Sequence, residues 1–245
     1  MTQQFDYKEL DSEGLENLDV ISEAVNFNRW MYDQIKDHCH GKILEIGSGI
    51  GNISGFFIDD NKNIWVSDLR QNYRDALTEK FSGKKNLGGV LDLDIVRPDF
   101  DEACKHLFES FDTIFALNVV EHIEKDNLAI HNCKKLLKKG GKLIILVPAF
   151  QSLYNGFDKE LYHYRRYTKH TLNKLFKENH FHLVESRYFN ALGILGWYVS
   201  GKLQRNKTIP KGQMKLYNLI IPISKMLDAV MLKKVGLSVI TVGQK

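Results

Sequence analysis

The chain has 245 residues, 43% hydrophobic and 26% charged, with only four prolines, an ordinary globular composition that suits one sizeable α/β domain. No window approaches the roughly 20 uninterrupted apolar residues needed to span a bilayer. The three scattered cysteines, Cys39, Cys104 and Cys133, suit a reducing compartment better than a disulfide framework. The opening residues, MTQQFDYKELDSEG, lack the basic-then-apolar layout of a signal peptide, so a cytoplasmic location is expected. The net charge of +4 is unevenly spread: residues 191–235 hold eight Lys/Arg against the single acid Asp228, which makes that segment +7 and the remainder −3.

Taken in chain order, residues 20–37 carry Val20, Ala24, Phe27, Trp30, Met31 and Ile35 at the spacing of an amphipathic helix, part of a helical cap expected over residues 1–40. HCH at 38–40 suggests a metal, but no second cluster at ligand spacing completes a site, and no metal is expected. KILEIG reads as a buried strand ending in a glycine turn, NISGFFIDD as a helix, NIWVSDL as a strand, QNYRDALTEKF as a helix and NLGGVLDLD as a third strand. DEACKHLFES is helical, FDTIFALNVV is a fourth strand, and EKDNLAIHNCKKLLKK is a helix ended by Gly140 and Gly141, before the fifth strand KLIILVPAF. Strands alternating with helices predict a parallel sheet covered on both faces.

After Pro148 the alternation breaks. Residues 150–167 form a connection of about 18 residues, far longer than usual, and such loops tend to carry function. Thr168 is then expected to N-cap a helix, with Tyr167 and Leu172 at staple positions and Leu172, Leu175 and Phe176 on its buried face. HFHLVESRYF reads as a sixth strand and LSVITVGQK, over 237–245, as a closing one. The whole of 1–245 is expected to be one domain, with 41–190 as its core and 191–235 as a helical insertion.

LEIGSGIGN is the most informative stretch. Glycines between a strand and a helix let the backbone bend tightly, let a ligand approach the main chain, and leave free N–H groups at the helix start. A dinucleotide fingerprint wants glycine three residues after Gly49, where Asn52 stands, and it does not need the acid at Glu45. A carboxylate there repels a pyrophosphate and favours a ligand carrying positive charge.

With its E-x-G-x-G-x-G pattern (Glu45, Gly47, Gly49, Gly51), the chain resembles the class I S-adenosylmethionine-dependent methyltransferases over roughly residues 26–190 plus the last strand. The resemblance implies a Rossmann-like α/β fold with a seven-stranded, mostly parallel sheet, its last strand antiparallel, and S-adenosylmethionine as cofactor, with S-adenosylhomocysteine as product. It implies that the turn from Gly47 through Ser48 to Asn52 meets the cofactor. It also implies that Asp68 takes the ribose hydroxyls with Leu69 against adenine, that Asp92 and Leu93 meet the adenine amino group, and that Asn118 and Val119 of NVVEHI line the methionine part. Asp94 offers an alternative register to Asp92. Phe27 and Trp30 fit core packing better than a lid over the cofactor.

FDKELYHYRRYTKHTL, residues 157–172, packs three tyrosines, two histidines and two adjacent arginines into the long connection. One reading is a solvated loop in which Asp158 and Glu160 pair with Arg165 and Arg166. A second is a nucleic-acid patch, with Tyr162, Tyr164 and Tyr167 stacking on bases; the acidic balance of the surrounding domain argues against it, and no nucleic acid is expected. The favoured reading is a substrate lid, because the connection leaves the carboxyl end of strand five, where parallel α/β sheets bind ligands. GFDKELYHYRRYT also resembles a signature of bacterial methyltransferases acting on glycolipids, sugars or other small molecules. That resemblance makes His163 the expected general base with His122 its rival, Arg165 or Arg166 the clamp for an anionic acceptor, and Tyr154 and Tyr167 the pocket walls.

The expected reaction is methylation of a hydroxyl or carboxylate oxygen on a small or lipid-linked metabolite. The alternatives are N-methylation of a small molecule, peptide or nucleic acid, and a non-catalytic cofactor-binding partner subunit. The NVVE tetrapeptide after strand four, where base N-methyltransferases resembling N-P-P-Y would differ, argues against methylation of nucleobases. The basic and apolar segment 191–235 suits an interfacial helix at the inner membrane face, against the blander expectation of a helical cap or homodimer contact.

Overall fold

The computed structural model of the protein describes residues 22, 24–203 and 213–245, and the side chains of 202–203 and 213–217 are not described. Val20 and most of the expected cap over 1–40, as well as Arg205, Lys207 and Lys211, lie outside the described residues.

The chain runs through α1 (Val25–Ile35), β1 (Ile43–Ile46), α2 (Ser54–Asp59), β2 (Ile64–Ser67), α3 (Gln71–Lys80), β3 (Leu87–Leu91), α4 (Phe100–Ala103) and β4 (Phe111–Leu117). There follow α5 (Asp126–Leu136), β5 (Leu137–Pro148), α6 (Gly156–Glu160), α7 (Lys169–Glu178), β6 (His182–Phe189), α8 (Ala191–Trp197), α9 (Gln213–Val230) and β7 (Ser238–Gln244). The seven strands form one sheet in the order β3-β2-β1-β4-β5-β7-β6. β1 to β5 are parallel, and β7 slots antiparallel between β5 and β6. This is the Rossmann-like fold that the resemblance implies, and its parallel part is what the alternation of strands and helices predicts.

Unbroken apolar runs such as LIILV (143–147) make sense only if both faces are buried, and the two cores divide the strand residues between them. Leu44, Ile114, Leu143, Ile145 and Val147 face a core with Phe100, Ile130, Leu172 and Phe176. Their strand neighbours Ile43, Phe115, Ile144 and Leu146 face a second core with Trp30, Ile35, Phe57, Leu77 and Ile221. Phe27 and Trp30 both pack on Phe189, with ring centroids 6.2 and 4.4 Å away, so they are core residues as expected.

Three local expectations change. The fifth helix stops at Leu136, not Lys139, because Leu137 turns extended and pairs with Phe111. Gly140 then takes φ +79°, a conformation open to glycine, inside the β5 range. The connection 150–167 is not irregular: a 3-10 turn (Gln151–Leu153) and α6 are set into it, with Asn155 capping α6. The cap at Thr168 stands, its hydroxyl accepting from Thr171 N at 3.2 Å.

Candidate active site

The carboxyl ends of β1, β2 and β4 lie side by side in the sheet, at the reversal of strand order where α/β folds form their binding crevice, and the glycine turn follows β1. Gly47, Gly49 and Gly51 all have positive φ. At Gly47 a Cβ would also stand 2.6 Å from Val119 Cγ2, so the close approach of the β1 and β4 ends requires glycine. Ser48 accepts from Gly51 N at 2.9 Å through its carbonyl, which tightens the bend. Lys80, on α3, donates from Nζ to the carbonyls of Ile50 and Gly51 at 2.8 and 3.2 Å. No pattern in the sequence singled out this lysine, since it sits 29 residues beyond the turn it steadies.

Glu45 lies at the turn with its side chain fully enclosed, and its carboxylate accepts from the Ser54 hydroxyl. Burial pushes its pKa up to about 7, an effect that the hydroxyls of Ser54 and Ser48 only partly offset and that Asp68 reinforces. Asp68 is buried at the end of β2, accepting from Gly49 N and Arg70 N, both at 3.0 Å. Burial raises its pKa despite those bonds. Leu69 beside it is half-buried, and Asn52 is half-buried past the turn.

Asp92 is exposed and pairs with Arg74 at 3.2 Å. Leu93 is buried among the apolar core residues just past the end of β3. Asp94 Oδ1 accepts from Val96 N at 2.9 Å, so this carboxylate is occupied in the local turn. Asn118 is exposed in the left-handed conformation at φ +55°, directly after β4.

Next to this crevice the connection after β5 folds down as a buried polar network. Asp158 is completely buried and accepts from His163 Nδ1 at 2.8 Å, Arg166 Nε at 2.7 Å and Asn155 N at 2.9 Å. These donors hold its carboxyl below the usual range against the opposing effect of burial. Tyr154 donates to the His163 carbonyl at 2.7 Å. His163 and His122 meet edge to face with ring centroids 4.6 Å apart. Burial, together with the neighbouring His163, pushes His122 down to about 3. Glu121, at the end of the same β4 turn, is fully buried; burial lifts it to about 7, and neither carboxylate oxygen has a hydrogen-bond partner.

Two expected acceptor contacts are corrected by this packing. Arg166 is turned inward, its guanidinium shared between Asp158 and the Ala149 carbonyl and laid over Trp197. Tyr167 is buried with its hydroxyl donating to Asp126 at 2.8 Å. Arg165 stays half-exposed, bound to Asp126 at 2.7 Å and to the Glu124 carbonyl at 2.9 Å. The pairing of Asp158 with an arginine does occur, but inside the protein and not in a solvated loop.

Residues 44–143 match the family model described as a methyltransferase domain. A highly reducing polyketide synthase, rstn3, of Aspergillus nomiae is 30% identical over 128 residues, which is 47% of this chain and 5% of that protein. The chain thus spans about a twentieth of the length of this curated relative. Among solved structures, a SAM dependent methyltransferase from Archaeoglobus fulgidus aligns over 89% of this chain and 94% of its own, at 16% identity and a TM-score of 0.56. Phosphoethanolamine N-methyltransferase 2 of Haemonchus contortus, in complex with phosphomonomethylethanolamine and S-adenosylhomocysteine, aligns over 98% of this chain and 59% of its own, at 15% identity and a TM-score of 0.59. At such identities the likeness is one of fold.

Proposed function

We propose that this chain, which carries a methyltransferase domain over residues 44–143, transfers a methyl group from S-adenosylmethionine to an oxygen of a small or lipid-linked metabolite. The cofactor reading rests on the family match, on the glycine turn and on Glu45. A cationic sulfonium nucleoside supplies the positive charge that a buried, unneutralised carboxylate lacks. In this reading Asn118, Val119, Asp68 and Leu69, at the ends of β4 and β2, take the roles the resemblance implies.

The single observation that carries the oxygen reading is the Asp158–His163 hydrogen bond. It engages Nδ1 and leaves Nε2 as the proton acceptor, the arrangement a general base needs. In the transfer the acceptor oxygen attacks the methyl carbon in line, the carbon–sulfur bond breaks with its electron pair on sulfur, and the hydroxyl proton passes to His163. Arg165 and Tyr154 are the acceptor-side groups within reach; Arg166 holds Asp158 in place.

The lipid-linked option rests on α9. Leu219, Ile223, Met226 and Val230 follow helical spacing and are all exposed, while Ile221, Ser224 and Asp228 fill the buried face. Lys225, Lys233 and Lys234 are exposed nearby. An exposed apolar stripe bordered by lysines fits the surface of an anionic bilayer, and among the described residues no helix is long and apolar enough to cross one.

Purified full chain incubated with labelled S-adenosylmethionine and a panel of hydroxyl, carboxylate and amine acceptors tests the reading. His163→Gln is expected to lower kcat at least a hundredfold while S-adenosylhomocysteine affinity by calorimetry stays within a factor of two or three. Methylation of amines alone, or unimpaired turnover in His163→Gln, overturns it.

A further inference from the structure

Glu121, His122 and His163 each present one ligand-type atom, and these atoms all lie within 4.8 Å of one another. Glu121 and His122 are neighbours in the turn that ends β4, whereas His163 arrives from the connection after β5. The fold, not the sequence, therefore brings the set together.

The set also contains an anomaly. Glu121 is 0% exposed, and among the described residues both its carboxylate oxygens lack a hydrogen-bond partner. A buried carboxylate without donors costs several kcal/mol unless something neutralises it. The nearest arginine in the network, Arg166, is already shared between Asp158 and Ala149. Asp158 in turn takes Nδ1 of His163, fixing the tautomer and ring plane so that Nε2 is presented, the role a carboxylate plays behind a metal-bound histidine. His122 is half-buried, the most exposed member of the cluster.

Two imidazoles and one carboxylate are a donor set for a divalent first-row cation with open positions left over. Donors around a cation at about 2.1 Å stand roughly 3 Å apart when adjacent and roughly 4 Å apart when opposite. From a span of at most 4.8 Å the three donors must close further by side-chain rotation to meet one ion.

We infer that Glu121, His122 and His163 form a binding site for a divalent metal ion that also receives the oxygen of the methyl acceptor. This rests on the oxygen-methylation reading for the acceptor's part and on the cluster alone for the ion. A cation here occupies His163 Nε2, so the histidine becomes a ligand and the ion takes over the acidification of the hydroxyl. The hydroxyl proton then leaves to solvent, the oxygen attacks the methyl carbon, and sulfur departs with the electron pair. Base and ligand are exclusive roles for one nitrogen, which makes the alternatives separable.

Full-length protein stripped with EDTA and dialysed is titrated with Mn²⁺, followed by electron paramagnetic resonance and by the melting temperature. One equivalent is expected to bind, with Zn²⁺ competing. Glu121→Gln and, as a second variant, His122→Asn are expected to weaken binding at least tenfold while still binding S-adenosylhomocysteine, which shows them folded. Wild type that takes up no Mn²⁺ or Zn²⁺ below about a millimolar, or variants that bind as well as wild type, overturns the site. EDTA-insensitive methylation that still needs His163 also overturns the metal role, and it leaves the base reading standing. Stoichiometric Mn²⁺ uptake without methylation of any oxygen acceptor leaves the site standing and overturns the oxygen reading.

Discussion

On the proposed cofactor reading, Glu45 ties binding to pH. Its folded pKa of about 7 lies above its ordinary value of 4.5, so the stability it contributes is full below pH 4.5 and is lost as pH rises through 7. The facing groups are Ser54, Ser48, Asp68 and Lys80. A cation in the crevice binds the ionised form, so affinity runs opposite to that stability: high at pH 8 and falling as Glu45 takes up a proton. Calorimetry is expected to show Kd for S-adenosylmethionine rising about tenfold from pH 8 to pH 6, and Glu45→Gln to be weaker at pH 8 but with most of this dependence gone. Asp158 makes the second prediction at this scale. With the Asp158 and Arg166 side chains 0% and 1% exposed, Asp158→Ala strands a buried guanidinium and is expected to cost about 3–5 kcal/mol in urea unfolding. Glu45 and the glycines stand out in one short contiguous pattern, whereas Asp68 was singled out only through the resemblance. Glu121 was not legible, because its meaning depends on His163, 42 positions away, and on the absence of a hydrogen-bond donor that only the folded chain reveals.

Among the elements, the strands were read well because most carry short apolar runs, such as LIILV (143–147), bounded by turns. The boundaries missed are those decided by pairing. Leu137 has helical neighbours before it, yet the Phe111 ladder pulls it into β5. The two short helical pieces in 150–167 escaped because each is only three to five residues long, too short for a periodic pattern, although Asn155 three residues before Asp158 was a readable capping box. Thr168 was legible as a cap from position alone. Thr168→Ala is expected to lower stability by about 1 kcal/mol, read as a shift of the urea midpoint at unchanged slope, with Thr168→Ser recovering most of it.

For the molecule as a whole, alternation foretold a parallel sheet covered on both faces, but the strand order and the apolar stripe of α9 came only with the folded structure. Hydrophobic spacing told of a helix and could not say which of its two apolar faces the core would take. The core takes Ile221, leaving Leu219, Met226 and Val230 outside, at 75%, 61% and 72% exposure. Vesicles rich in anionic lipid are expected to sediment the protein, with binding falling as salt rises. Leu219→Ser combined with Val230→Ser is expected to abolish most of it while leaving the melting temperature within a few degrees; a salt-independent dimer in place of vesicle binding would assign the stripe to a second copy.

The strand β7 lies between β5 and β6, with Lys142 paired to Gln244 and His182 to the same residue. Until it arrives, two neighbouring strands present bare backbone edges toward each other across a vacant slot. A pairing that spans about a hundred residues closes slowly, so refolding should have a late step during which those edges can recruit other chains instead. Yield on dilution from denaturant is therefore set by protein concentration during that interval more than by the final stability.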